Sequence, residues 1–320
     1  MPVLDALWAS VSSRPLSAVC TTSVPADRGA TCELMVVSDG DRTFVAKIPS
    51  ASLDPARAGR EAWVLQHLLP YLGVHAPVVH ASVDTAYGPA LLLSCCGRTD
   101  GDVGAIADVD TVEQVLKALT PVHRCEATQA MQEILPRWGV GTTRGSTPHG
   151  RRVNRYARRW PTAIGHWAAA EDVSWLTALA QDMTAHLPAD LALLAASTGR
   201  LMHGDVHADN LRFDGDHVWL LDWQTASIGP PIIDVALWLT AHVGPESADD
   251  ALALARAHLE RVGLPWCDRL WTAAVRSTFC GLCSGYATRL PDAIGAREVA
   301  ATKRAFASDG VAGWVSHIGC

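Results

Sequence analysis

Apolar and polar positions change rhythm along this chain, and the changes mark out its parts. After a short amphipathic stretch at residues 4–12 the period becomes two. Residues 18–22, 32–37 and 42–48 alternate as half-buried strands do, with Asp39-Gly40 as the turn between the last two. The period then switches to that of a helix. Ala58, Ala62, Leu65 and Leu69 form one stripe of a segment from about Pro55 to Leu69. Residues 77–82 and 89–96 read as two more strands, the second almost continuously apolar and therefore buried. Beyond Asp110 the pattern is helical at residues 112–123, 172–187, 188–197, 248–262, 266–289 and 293–307. It is broken by a Gly/Thr/Pro-rich loop at 136–150 and by one hairpin. Strands first and helices after predict an α+β chain.

The hairpin concentrates the chemistry. Leu211 and Phe213 alternate with polar neighbours, Asp214-Gly215 signals a tight turn, and residues 217–221 return. Asn210 precedes the first strand and Asp222 follows the second, so folding sets them roughly 5 Å apart across an antiparallel pair. Asp205 lies on the loop that enters the hairpin. Two carboxylates and an amide oxygen at one end of a hairpin are hard ligands suited to Mg²⁺, which is usually shared with substrate phosphates. Two other readings use the same residues. His203-x-Asp205-x-His207 resembles half of a metal-hydrolase cluster, but no other histidine stands at a suitable spacing to complete it. A plain surface hairpin with solvated acids is the second. Leu220-Leu221 running into Asp222-Trp223 argues against it, because a carboxylate there is half buried and needs a partner.

An Asp, an Asn five residues on, and an Asp after the following strand are the parts of a kinase catalytic loop. Here they read His203-Gly204-Asp205, Asn210 and Asp222-Trp223-Gln224, without the protein-kinase Arg or the Phe-Gly pair. The pattern H-G-D-x-x-x-x-N, an apolar strand, then D-W resembles the aminoglycoside phosphotransferase (APH) and choline-kinase-like families of small-molecule kinases. That resemblance implies a protein-kinase-like bilobal α+β fold. A small β-rich lobe (1–97, hinge at about 93–97) would hold ATP, and a mostly helical lobe (98–320) would carry the catalytic loop and acceptor site. It further implies that Asp205 orients and deprotonates the acceptor hydroxyl and that Asn210 and Asp222 hold Mg²⁺. Adenine contacts fall at the Ser94 carbonyl and the Cys96 amide. His203 and Asp234 support the loop, and His207 either helps at the γ-phosphate or merely packs, packing being favoured.

Lys47 ends an alternating strand, and Glu61 lies on the edge of the helical stripe in line with Leu65 and Leu68. A carboxylate on a core-facing edge is rarely left alone. The lysine–glutamate ion pair of kinases would satisfy it and leave Lys47 to reach the ATP phosphates. The bland alternative is a solvated lysine and a snorkelling glutamate. The loop at 24–31, with a single Gly, is a reduced form of a phosphate-covering loop or an ordinary hairpin loop.

Arg151, Arg155, Arg158 and Arg159 fall on one helical face beside Trp160. Such a run is usually a solvated face. The sharper expectation is that Arg155, Arg159 and Trp160 contact an anionic group on the acceptor.

Composition narrows the picture. With 49% apolar and 18% charged residues among 320, the chain is globular and long enough for two cores. A net charge of −7 speaks against nucleic acid as a partner. Nine scattered cysteines suggest reduced thiols and a cytoplasmic location. The first residues lack a basic leader, and no apolar run approaches the roughly 18 residues of a membrane span. The expected protein is a monomer or homodimer acting on a small-molecule hydroxyl. An antibiotic (aminoglycoside, nucleoside or other sugar-bearing type) is the leading acceptor. A metabolic kinase for choline, a sugar or an amino-alcohol, and a pseudokinase binding module, are the alternatives.

Overall fold

The computed structural model describes residues 2–24, 31–40, 42–96, 107–138, 174–197, 199–243 and 247–289. Its first elements are α1 (Pro2–Ala9), β1 (Cys20–Val24), β2 (Cys32–Ser38), β3 (Thr43–Pro49), α2 (Pro55–His67) and α3 (Leu69–Leu72). Next come β4 (Val79–Thr85), β5 (Gly88–Ser94), α4 (Val109–Arg124), α5 (Gln129–Ile134) and α6 (Ser174–Ala195). The last are β6 (Arg200–Met202), β7 (Leu211–Asp214), β8 (His217–Leu220), β9 (Ser227–Gly229), α7 (Ile232–His242), α8 (Ala248–Arg261) and α9 (Asp268–Arg289). The chain divides into two compact units. One is Met1–Gly101 with Asp209–Ala226; the other is Asp102–Ala208 with Ser227–Cys320. The resemblance implies a lobe boundary near residue 97; the first unit's main segment runs to Gly101, and the unit also takes in the β7–β8 hairpin.

The first unit is built on a five-stranded antiparallel sheet ordered β1-β2-β3-β5-β4. Strand alternation sends Met35, Val37, Phe44, Ala46, Ala90 and Leu92 to one face, where Leu4, Leu7 and Trp8 of α1 cover them. Trp8 meets Phe44 edge to face at 6.0 Å and its indole N–H donates to the Arg14 carbonyl. Lys47 and Leu91, paired across β3 and β5, belong to the opposite face, on which α2 packs. Asp54 caps α2 by accepting from the Ala56 N–H at 3.0 Å, with Pro55 in the first turn. The helix stops at His67, short of the Leu69 expected from its stripe. Pro70 has no N–H to continue the ladder, and Leu68 leaves helical geometry. β1 begins at Cys20 because residues 16–18 form a 3-10 turn.

The hairpin turns on Gly215-Asp216, with Gly215 at φ 57°, so the tight turn sits one residue later than its sequence signal. The Leu220 N–H donates to the His75 carbonyl, and the Arg60 guanidinium donates to the Gln224 carbonyl. These bonds, with the fully buried Trp223, join the hairpin to its unit.

The second unit is mainly helical, with β6 and β9 as a short antiparallel pair. α4 packs on α8, and α9 packs on both α6 and α7. Two separate helices were expected to meet at Pro188, yet α6 runs through it. Leu187 and Leu194 are buried on either side, and Asp190 receives a two-pronged bond from Arg276 of α9 at 2.7 and 2.8 Å. That packing outweighs the one backbone bond proline removes.

Candidate active site

In the first unit, β3 delivers Lys47 and the second turn of α2 delivers Glu61 to the same point. The Lys47 ammonium lies 2.7 Å from Glu61 Oε2 and 2.7 Å from Asp222 Oδ1. The glutamate is buried, with 3% of its surface exposed, so the expected ion pair forms and the solvated alternative does not. Burial works against the lysine charge, but Glu61 and then Asp222 outweigh it, and the ammonium is held well above its ordinary range. Burial pushes the Glu61 carboxyl upward, and the lysine pulls it back.

Asp222 is placed by an unusual backbone. It is the sole non-glycine with positive φ among the described residues (φ 59°, ψ 68°), in the left-handed region. Such a conformation persists where surroundings over-determine it and collects at functional sites. Here the Lys47 ammonium holds one carboxylate oxygen and the Gln224 amide donates to the other at 2.8 Å. Gln224 carries no motif of its own, and its proximity to Asp222 in sequence was the available signal. Asn210 is buried, and its carbonyl accepts from the Leu221 N–H at 2.8 Å, which sets it beside Asp222 at the open end of the hairpin. One amide and one carboxylate oxygen are hard donors of the kind Mg²⁺ takes along with waters and phosphates. These residues fit such an ion.

Ser94 closes β5. Its amide donates to the Val78 carbonyl, and its hydroxyl accepts from the Val78 N–H at 2.9 Å. Cys96 follows with its thiol directed to the Ser94 carbonyl at 3.5 Å, and burial pushes that thiol up, keeping it protonated.

In the second unit, the segment from His203 to Ala208 is fixed through its backbone. Asp234, fully buried in the first turn of α7, accepts from the N–H of His203 at 2.7 Å and of Gly204 at 2.8 Å. Gly204 has φ 83°, a conformation suited to glycine. The His203 ring is fully buried, and its Nδ1 accepts from the Asp205 N–H at 3.3 Å. Nε2 of His242 accepts from the Ala208 N–H at 3.2 Å. Burial lowers the His242 pKa to about 4, so the acceptor lone pair is present at neutral pH. Asp205 is left partly exposed, and His207 stands 3.7 Å from its carboxylate instead of packing into the interior. His242 escaped the sequence reading, though it stands in the last turn of the strongly apolar α7. Arg155, Arg159 and Trp160 lie outside the described residues.

The sequence matches the profile of the phosphotransferase enzyme family, APH, over residues 25–270. The chain belongs to that family. It is therefore a small-molecule phosphotransferase with a protein-kinase-like α+β fold. No curated protein matches it. Among solved structures, a Ralstonia eutropha JMP134 protein provisionally named an aminoglycoside phosphotransferase is similar, with TM-score 0.63 and 17% identity over 98% of this chain and 96% of that one. Spectinomycin phosphotransferase APH(9)-Ia, complexed with ADP and spectinomycin, has TM-score 0.61 and 10% identity over 85% and 83%. An ethanolamine kinase of Plasmodium vivax has TM-score 0.59 and 11% identity over 91% and 82%. At these identities the likeness to the solved structures is one of fold.

Proposed function

We propose that this phosphotransferase moves the γ-phosphoryl group of ATP onto a hydroxyl of a small molecule, foremost an antibiotic inactivated by the transfer. The observation that carries the nucleotide half is the Lys47 ammonium between Glu61 and Asp222, 2.7 Å from each. A buried, fixed cation beside a metal-type carboxylate is what a triphosphate needs. Lys47 would grip the phosphates, with Glu61 aiming it. Asn210 and Asp222 would hold Mg²⁺, which when bound neutralises charge on the phosphate oxygens. Ser94 and Cys96 would present a carbonyl and an amide to adenine.

Asp205 would accept the proton of the acceptor hydroxyl as its oxygen bonds to phosphorus and ADP leaves with the bridging oxygen. Support for that role is the firmly tied backbone on which Asp205 stands, with its own carboxylate partly exposed. His203 and Asp234 would keep the loop in place. Arg155, Arg159 and Trp160 would contact an anionic part of the acceptor.

An antibiotic acceptor draws support from the fold it shares with spectinomycin phosphotransferase and with the macrolide 2′-phosphotransferase MphH of Brachybacterium faecium, the latter at TM-score 0.53. The likeness to an ethanolamine kinase favours a metabolic alcohol as the second reading. Reduced thiols and dependence on ATP suit the cytoplasm, and no helix among the described residues is long and apolar enough to cross a membrane. The test is incubation with ATP and Mg²⁺ against antibiotics and small metabolic alcohols, followed by mass spectrometry. A product heavier by one phosphoryl group on an antibiotic supports the first reading. A phosphorylated metabolic alcohol alone supports the second.

A further inference from the structure

Behind the loop that carries Asp205, the second unit buries three ionisable side chains in a row. His123 lies in the last turn of α4, His258 in the last turn of α8 and Asp234 in the first turn of α7. Their exposures are 0, 1 and 0%. His123 Nδ1 is 2.8 Å from His258 Nε2, and His123 Nε2 is 3.2 Å from Asp234 Oδ2. That same Asp234 oxygen accepts from the His203 N–H, and the other accepts from the Gly204 N–H.

The direction of the chain follows from what each atom can do. A carboxylate holding two backbone donors only accepts, so His123 Nε2 carries a proton. Neutral His123 then accepts at Nδ1 from the Nε2–H of His258. His258 Nδ1 is left as a bare lone pair, and it has no hydrogen-bond partner among the described residues. The reverse arrangement, with His123 charged, would leave a buried N–H unmet at that position, which is rarer in proteins than an unmet acceptor. Burial, followed by His123 and the nearby Arg261 and Arg124, lowers the His258 pKa to about 2. Arg124 is itself turned to the Arg261 carbonyl, where its guanidinium donates at 3.0 and 3.3 Å.

We propose that His258 and His123 are positioning residues, a neutral one-way relay that fixes Asp234 and through it the backbone on which Asp205 stands. Helix α4, distant in sequence, and the consecutive helices α7 and α8 thereby converge on one loop. Neither histidine touches the reacting atoms, and the role rests on Asp205 being the base.

The test uses the full chain with His258→Leu and His258→Gln. A glutamine amide can donate to His123 Nδ1 from near the position of Nε2, whereas leucine fills the space and cannot. ATP hydrolysis with Mg²⁺, water serving as acceptor and ADP and phosphate as products, supplies the rate without a known acceptor. For His258→Leu the expected kcat falls roughly 10- to 100-fold, the size of loss that misplacement of a reacting group causes. KM for ATP stays within about twofold. Hydrogen exchange of the amides at 203–208 quickens about tenfold, while exchange in β2 and β3 is unchanged. His258→Gln restores kcat to within about threefold.

Wild-type kcat and loop protection in the leucine variant would overturn the relay. So would equal losses in the leucine and glutamine variants, or exchange that rises throughout the chain. Asp205→Asn is measured alongside. If it hydrolyses ATP at the wild-type rate, the Asp205 assignment fails and the relay's catalytic role with it. If it is inactive while His258→Leu is normal, the relay alone fails.

Discussion

Replacing Lys47 by methionine removes the cation from a three-charge cluster and leaves Glu61 and Asp222 facing each other. Lys47 and Glu61 side chains are only 12% and 4% exposed, so water compensates little. Deleting one partner of a buried ion pair costs about 3–5 kcal/mol, chiefly because the remaining charge stays buried and unpaired. Against a native stability of roughly 5–15 kcal/mol, that is a large loss. Urea unfolding measures it as a fall in midpoint at constant slope. Adding Glu61→Leu removes the orphaned carboxylate, so the double variant should be about 1–3 kcal/mol more stable than Lys47→Met alone.

A second signature follows from protonation. Without lysine, the Glu61 carboxyl rises further above its unfolded value, so the folded chain holds a proton that the unfolded chain has lost. The deficit of Lys47→Met is therefore smallest below about pH 4 and grows as pH rises through the folded pKa. Neither variant should turn over nucleotide, because both lack the cation, even though the double variant recovers stability. A Lys47→Met protein within about 0.5 kcal/mol of wild type, or strictly additive single and double variants, would refute the coupling.

Asp205→Asn should leave the nucleotide Kd within about threefold while turnover falls by two or more orders of magnitude, as loss of a general base does. Arg276→Leu strands Asp190 between α6 and α9, and chemical denaturation should show a loss of about 3–5 kcal/mol. Gly229→Ala drives a methyl into Trp138 Cβ and to 2.6 Å from Met202 Sδ, so Tm should drop by several degrees. His242 and His258, with pKa values lowered to about 4 and about 2, bind protons when unfolded but not when folded. Each makes stability fall by up to about 1.4 kcal/mol per pH unit as pH drops from 6.5 towards 4, and neither contributes a slope above about pH 7.5. Replacing either by glutamine should flatten that slope in a stability–pH series.

Local signals carried much of this molecule. β2 and β3 announce themselves by alternation, α2 by its stripe and its Asp54-Pro55 start, and the hairpin by its turn. Glu61 was legible because a carboxylate on an apolar edge demands a partner. His123 and His258 offered the same signal, each on the buried stripe of its helix, but 135 residues separate them and nothing local says that they meet. The continuation of α6 through Pro188 is likewise favoured by tertiary contacts, above all the Asp190–Arg276 pair. The assignment of the hairpin to the first unit depends on Arg60 and His75, neither of which lies in a motif. The left-handed backbone at Asp222 has no sequence signature, since glycine would be the ordinary choice there.

The most direct test of the central claim follows the γ-phosphorus itself. ATP labelled at that position is incubated with protein, Mg²⁺ and a mixed panel of antibiotics and metabolic alcohols, and the label is located by chromatography and mass spectrometry. Label on the hydroxyl oxygen of a small molecule, absent with Asp205→Asn, is the predicted result. Label that passes only to water, or to the protein, or that reaches the same small molecule equally well with Asp205→Asn, would contradict the account.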